Sequence, residues 1–422
     1  MKIHALLQPI KTADRRHLWL AACFAVICLM ALFLRYKLIA DQTFDYTHFL
    51  KPWYENLSHN GIKAFGKGFA NYNTPYLILL YLSTLLPVGE LAAVKLLSMS
   101  FDIVLAASVA LIVGHFRPLG YAKYVAFATI LYLPTVWMNS GLWGQCDAMY
   151  TSFVMLAFYF CLKDRSNLAW ILWGVAFAFK LQGIFFLPFL IFFSFYRKWK
   201  WYVPAFAIIT AVLLTIFPLF FGRSFGNVFG VYLGQVATPT AYRAILAWYS
   251  ATFYQFMPNE LYPYLKTGGV MLGGAVAVAT ISLAFLGKRY TKETMVVIAA
   301  LSLLAIPYFL PQIHERYMFT AEIMLVVVAF VVPRFVWMAI GMQIVSITTY
   351  NSYFTGGNGQ PQISYPVLSL IVLAILYYLT KYLAPAISQP LPLPVLVEPA
   401  TRDAALRRVT ADSRRVTKAR KP

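Results

Sequence analysis

The sequence predicts an all-α polytopic membrane protein with about 12 transmembrane helices, and three observations carry that prediction. Of the 422 residues, 60% are hydrophobic and only 12% charged. Apolar runs recur at close to the roughly 20 residues that a helix needs to cross a bilayer. The basic residues behind the net charge of +20 sit in short clusters between those runs and in the tail. That is the pattern of a positive-inside bias, not of a nucleic-acid-binding surface. Four cysteines, Cys23, Cys28, Cys146 and Cys161, have neither disulfide-framework nor zinc spacing.

Each element follows from charge and length. "KTADRRH" puts the N-terminus in the cytoplasm, and 18–39 reads as a retained first span because no small-residue cleavage site follows it. Residues 41–74 form the first extracytoplasmic loop. "PYLILLYLSTLLP" at 75–87 is too short to cross comfortably, and a crossing there would put the basic "HFRPLGYAK" outside. We therefore read 75–88 as an interfacial helix opened by Pro75, and 91–114 as the second span. Spans 122–138 and 148–162 flank an outer "SGLWGQCD". Residues 168–195 are too long for one helix and carry "KLQG" at their centre, so they read as two short helices whose tip at Lys180–Gly183 points outward. Span 201–220 leads to a long extracytoplasmic loop at 222–264. Spans 267–287, 294–310, 318–333, 335–349 and 363–383 complete a single transmembrane domain, 1–385, with no fixed repeat. The tail 386–422 is basic, with eight Lys/Arg against two Asp over 401–422, and reads as a disordered cytoplasmic segment able to touch anionic lipid. The expected location is the cell (inner) membrane with both termini cytoplasmic.

This threading brings the polar, motif-like loops to the extracytoplasmic side, where a site is expected. Asp41 and Asp45 in "DQTFDY" are four apart and share a face if helical. A partly desolvated carboxylate at such a boundary can serve as a general base, whereas the plainer reading is two solvated loop residues. In "WGQCD", Trp143, Gln145 and Asp147 put a flat stacking surface and two polar groups into five residues, a set suited to sugars or head groups. Capping of the following helix is the competing account of Asp147. In "PQIHERYMF", His314, Glu315 and Arg316 lie between two apolar runs; Arg suits bidentate phosphate recognition, and an internal ion-pair cluster is the alternative. Lys180 and Gln182 add a cation and an amide at the outward tip. Lys95 and Asp102 inside the second span read as a structural network. The stretch 222–248, with Arg223, Tyr232, Gln235, Tyr242, Arg243 and Trp248, is either a cover for the site or an ordinary connector.

Taken together, "DY" after the first span, "NYNTPYL", "WGQCD", "FKLQ" and "HERY" resemble the GT-C superfamily of membrane glycosyltransferases, especially bacterial proteins similar to the GPI mannosyltransferases. The resemblance runs from about residue 41 to 322. It implies a GT-C-like fold and transfer of a hexose, mannose-like, from a polyprenyl-phosphate sugar donor to a glycan, lipid or protein acceptor, often with inversion. It also implies Asp45 as the catalytic base. By the same resemblance His314 and Arg316 lie near the donor phosphate; from the residues themselves Lys180 offers a further phosphate-binding cation, and Asp41, Trp143, Gln145, Asp147, Gln182 and Glu315 are the candidate substrate-binding set. The sequence has "PYL" after "NYNT" where many relatives have two prolines. No cofactor is expected with certainty; Asp41 and Asp45 alone are a thin ligand set for a divalent cation, and no metal site is assigned. The cytoplasmic segments hold no glycine-rich phosphate loop, which argues against a nucleotide-sugar donor. A transporter or flippase of lipid-linked sugars is the rival class, kept open by Lys95, Asp102 and the broken 168–195 segment.

Overall fold

A computed structural model describes residues 12–237, 245–356 and 363–388. Within them the chain is almost entirely helical: α1 (Thr12–Lys37), α2 (Lys51–Asn60), α3 (Thr74–Ser83), α4 (Glu90–Phe116), α5 (Ala122–Tyr132), α6 (Pro134–Trp137), α7 (Asp147–Leu162), α8 (Ser166–Phe179), α9 (Leu187–Tyr196), α10 (Pro204–Thr215), α11 (Phe225–Ala237), α12 (Tyr262–Ser282), α13 (Lys292–Phe309), α14 (Phe319–Val331), α15 (Val336–Phe354) and α16 (Tyr365–Ser388). Two short strands, β1 (Ala247–Trp248) and β2 (Ile313–His314), pair in parallel, with Trp248 opposite His314.

Among the described residues six helices are long and apolar enough to cross a membrane, and seven if the bent segment at 122–142 counts as one crossing. This identifies a helical membrane protein. The expected number of about 12 is not reached by that measure, because α7, α8, α14 and the Leu181–Tyr196 segment are apolar but only 10–17 residues long. The bend at 122–142 is 51° and has a local cause. Leu133 precedes Pro134, whose ring drives the preceding residue out of the helical region, and Leu133 is extended (φ −60°, ψ 125°).

Three other sequence expectations change in detail. The helix expected over 75–88 ends at Ser83, and one face of α3 is buried against α2, α4, α8 and α10 while Leu82, Leu85 and Leu86 remain exposed. The long loop expected over 222–264 contains α11. The tail beyond Ser388, like residues 1–11 and the pair Tyr242 and Arg243, lies outside the described residues.

Burial sorts the helices into a centre and a periphery. Of the membrane-length segments, Lys292–Phe309 is 72% buried, whereas His17–Lys37 is 6% and Pro204–Phe221 is 17% buried. Helices apolar on every side are stable only against other helices or lipid, so α1, α10 and α12 read as the lipid-facing rim around α7, α13 and α14. Close approach within the bundle uses small residues. At Gly174 on α8 a Cβ would lie 2.6 Å from the Ala207 carbonyl oxygen on α10, which only glycine permits.

The ionisable residues inside the bundle are partnered, as the cost of an unpaired intramembrane charge requires. Arg35 on α1 donates to Asp102 on α4 at 2.7 Å and to the carbonyl oxygens of Ala31 and Leu131, while the Ser140 hydroxyl donates to the same carboxylate at 2.5 Å. Lys95 donates instead to the main-chain oxygens of Leu38 and Asp41, so it fastens the end of the first loop to α4. Glu322 on α14 accepts from Ser346 and Gln343 of α15, and Gln343 also bonds Thr135.

Candidate functional site

The three motifs converge on two carboxylates. Asp45 precedes a single π turn, Tyr46–Leu50, that feeds α2. The residue is buried, 7% exposed. One oxygen, Oδ2, accepts from Trp143 Nε1 at 2.9 Å and from Gln145 Nε2 at 2.6 Å. The other, Oδ1, accepts from the Tyr353 hydroxyl at 2.5 Å. Asp147, fully buried at the first position of α7, accepts from Lys180 Nζ at 2.5 Å and from Asn139 Nδ2 at 2.9 Å. Cys146 is the N-cap of α7 and makes no side-chain capping bond, whereas Asp147 sits in the first turn, where its charge complements the helix dipole as well as pairing with Lys180.

Arg316 connects the two. Nη1 lies 3.5 Å from Asp45 Oδ2 and 3.1 Å from Glu315 Oε1, and Nε lies 3.7 Å from Asp147 Oδ2. Its guanidinium covers the Trp143 ring at 4.8 Å, a cation–π arrangement. The Nε donor is enclosed without a hydrogen bond, since 3.7 Å is an ion-pair distance only. Three carboxylates, Asp45, Asp147 and Glu315, therefore face two full cations, with His314 Nδ1 3.7 Å from Glu315 at the half-exposed rim. Burial disfavours the ionised form of Glu315, but the neighbouring His314 ring and the Arg316 charge outweigh it and hold the carboxyl below the usual glutamate range.

Local backbone explains the placement. Met138–Leu142 forms a π turn, and Gly144 follows with φ +74°, a left-handed conformation that glycine adopts without strain. The turn sends Trp143 and Gln145 toward Asp45 and leaves Asp147 to start α7. Lys180 is extended (φ −155°, ψ 136°) between α8 and a 3-10 turn, Leu181–Phe186, so the segment breaks where its cation meets Asp147. Asn73 of "NYNT" donates to the Phe179 carbonyl oxygen at 3.3 Å and ties the first loop to that break. Near His314 two non-glycine residues are left-handed, Gln312 (φ 62°) and Tyr249 (φ 45°), strain of the kind that accumulates at functional sites.

Of the residues singled out in the sequence, Asp45, Trp143, Gln145, Asp147, Lys180, Glu315 and Arg316 form this one connected cluster. His314 stands at its edge, with its ring 5.9 Å from Trp248. Gln182 is buried in the adjacent turn with Oε1 unbonded. Asp41 does not join: its side chain is exposed and its main-chain oxygen is held by Lys95. Among the described residues no three His, Cys, Asp or Glu gather as ligands for a metal ion. Sequence reading missed Tyr353, Tyr72, which donates to Gln145 Oε1 at 3.1 Å, and Asn139. Asn139 and Tyr353 stand in "NSGLWGQCD" and "NSYF", polar stretches the threading had placed on the same side, which was the available signal. Neither protein-family models nor curated proteins yield a match to the chain.

Proposed function

We propose that this protein is an integral membrane glycosyltransferase of GT-C type. It moves a hexose, mannose-like, from a polyprenyl-phosphate carrier to an acceptor hydroxyl on the extracytoplasmic side of the cell membrane, with the about 12 helices threaded from the sequence around the centre. The observation that supports this reading most is the meeting of Asp45, Asp147 and Arg316, delivered by three motifs far apart in sequence.

In this reading Asp45 takes the proton of the acceptor hydroxyl as its oxygen forms a bond to the anomeric carbon. The bond from that carbon to the carrier phosphate breaks, and the polyprenyl phosphate departs with both electrons. No acid is needed, because a polyprenyl phosphate is already a good leaving group, unlike the alcohol released in glycoside hydrolysis. Attack opposite the leaving phosphate inverts the anomeric centre. Arg316, whose Nε donor is unspent, and Lys180 lie where the charge of the departing phosphate would be met, and His314 adds a rim donor. Trp143, fully buried between the Arg316 guanidinium and the Tyr353 ring, serves this reading by holding Asp45 through its Nε1 donor. Purified protein offered a panel of polyprenyl-phosphate sugars should transfer one of them, and Asp45→Asn should lower turnover about 10²- to 10⁴-fold. Near wild-type turnover by that variant would sink the base assignment.

The broken segments at 132–134 and 179–181 favour a second reading, a transporter or flippase of lipid-linked sugars, since interrupted helices commonly line transport sites.

A further inference from the structure

Arg223 lies outside the Asp45 centre, at the start of α11, where a cleft of about 480 Å³ is lined by Gly66, Gly68, Gly222, Arg223, Ser224 and Asn227. That volume falls within the roughly 300–1,000 Å³ of small-molecule sites. Arg223 is half-buried, its Nε is enclosed without a hydrogen bond, and it enters none of the ion pairs found among the described residues. The other arginines of the interior differ: Arg35 has Asp102 and Arg316 has Glu315. A cation taken partly out of water without a counter-charge costs free energy that an incoming anion would recover.

The walls leave room for such an anion. A Cβ on Gly66 would lie 2.4 Å from the Phe221 carbonyl oxygen, so two main chains meet there, and a Cβ on Gly68 would stand 3.5 Å from Arg223 Nη2. Nothing bulkier than hydrogen projects from Gly68 toward the guanidinium. At the start of α11 the Asn227 amide is already taken by the Ser224 hydroxyl at 3.3 Å, and the charge that would attract an anion is that of the Arg223 side chain. On either side of Arg223 in the chain, Phe220 and Phe225 are 77% and 67% exposed, an arrangement suited to hydrocarbon rather than to water.

We propose that this cleft binds the phosphate of an anionic lipid headgroup, with Arg223 donating to two phosphate oxygens and Phe220 and Phe225 lying along the acyl chains. The site is independent of the sugar-transfer reading. It has a structural link to the centre: Gly66 and Gly68 precede Tyr72, and Tyr232 of α11 donates to the carbonyl oxygen of Ala178, two residues before Lys180.

Native mass spectrometry of the full chain in detergent, titrated separately with phosphatidylglycerol, phosphatidylcholine and inorganic phosphate, tests it. Phosphatidylglycerol should be retained about tenfold better than phosphatidylcholine, whose phosphodiester is the same but whose choline cation offsets the negative charge that Arg223 would meet. That preference should vanish in Arg223→Gln and in Asn227→Asp, and persist in part in Arg223→Lys. Asn227→Asp keeps the arginine and changes only the exposed rim, so it decides the matter if Arg223→Gln fails to fold. Equal retention of the two lipids by the wild type, or an unchanged preference in Asn227→Asp, overturns the proposal. Arg223-dependent binding of inorganic phosphate that phosphatidylglycerol does not displace overturns the lipid assignment.

Discussion

Tyr353 donates to Asp45 Oδ1 at 2.5 Å, closing a contact between residues 308 positions apart. The Tyr353 ring also stacks on Trp143 at 4.7 Å, and Trp143 donates to the other oxygen of the same carboxylate. Asp45 is thus fixed from both sides by neutral donors on α15 and on the turn before α7. Among the described residues its charge is paired with Arg316, at 3.5 Å.

Tyr353→Phe keeps the stacked ring and removes one donor. Sugar transfer should fall about tenfold, the order of one lost positioning hydrogen bond, while the unfolding temperature moves by only a few degrees. Transfer kinetics beside a thermal melt check this; an unchanged turnover would remove Tyr353 from the site.

Asp147 and Lys180 are a buried pair, and each is the other's main compensation. Asp147→Asn or Lys180→Met alone strands a buried charge and should cost about 3–5 kcal/mol of stability. The double variant should cost less than the two together, with a coupling of about 1 kcal/mol or more. Denaturant titration of the four proteins measures it, and strict additivity would mean that the contact contributes nothing.

Glu315 sets a pH dependence. Its carboxyl is held below the usual glutamate value of 4.5, so its contribution to stability is fully present above that value and is lost as pH falls through the lower folded one. At neutral pH Glu315→Gln should therefore melt below the wild type, and the gap should close progressively in acid below the glutamate range. A gap constant from pH 7 down to acid would show that the ionised carboxylate is not what stabilises.

Much of the centre was legible because its charged and amide residues stand in compact runs. In a chain with only 12% charged residues, "WGQCD" and "HERY" are conspicuous. Tyr353 and Tyr72 were less so: they stand in the polar stretches "NSYF" and "NYNT", but aromatic residues make up 17% of the chain, and nothing singles out one tyrosine until the fold brings it to Asp45 or Gln145. Arg35 was hidden in the same way, at the end of an apolar run where a basic residue is ordinarily a topology marker. The span count was less legible for a different reason: α8 and α14 are apolar but shorter than an upright helix that crosses a bilayer, so length and composition give six or seven crossings among the described residues where the threading expects about 12. In α11, Phe225, Val228, Phe229 and Tyr232 follow helical spacing, but three glycines in thirteen residues mask it.

Cys146 offers a native probe of transferase against transporter. It is buried between Gln145 and Asp147, inside the centre, while Cys23, Cys28 and Cys161 can be replaced to leave it alone. A transferase with its site on the outer face exposes Cys146, however slowly, to that face only, and a transporter must open it in turn to both. Markers are needed for each end of the bundle. Asp41→Cys stands at an exposed position of the first loop, and Lys198→Cys stands in the turn after α9, beside the exposed Asp164–Arg197 pair. In sealed cells a membrane-impermeant maleimide should label Asp41→Cys at once, Cys146 slowly, and Lys198→Cys only after permeabilisation. In inverted vesicles the order should reverse for the two markers, with Cys146 left unlabelled. Labelling of Cys146 from both sides would favour transport, and labelling of Lys198→Cys in sealed cells would invert the orientation on which the extracytoplasmic site depends.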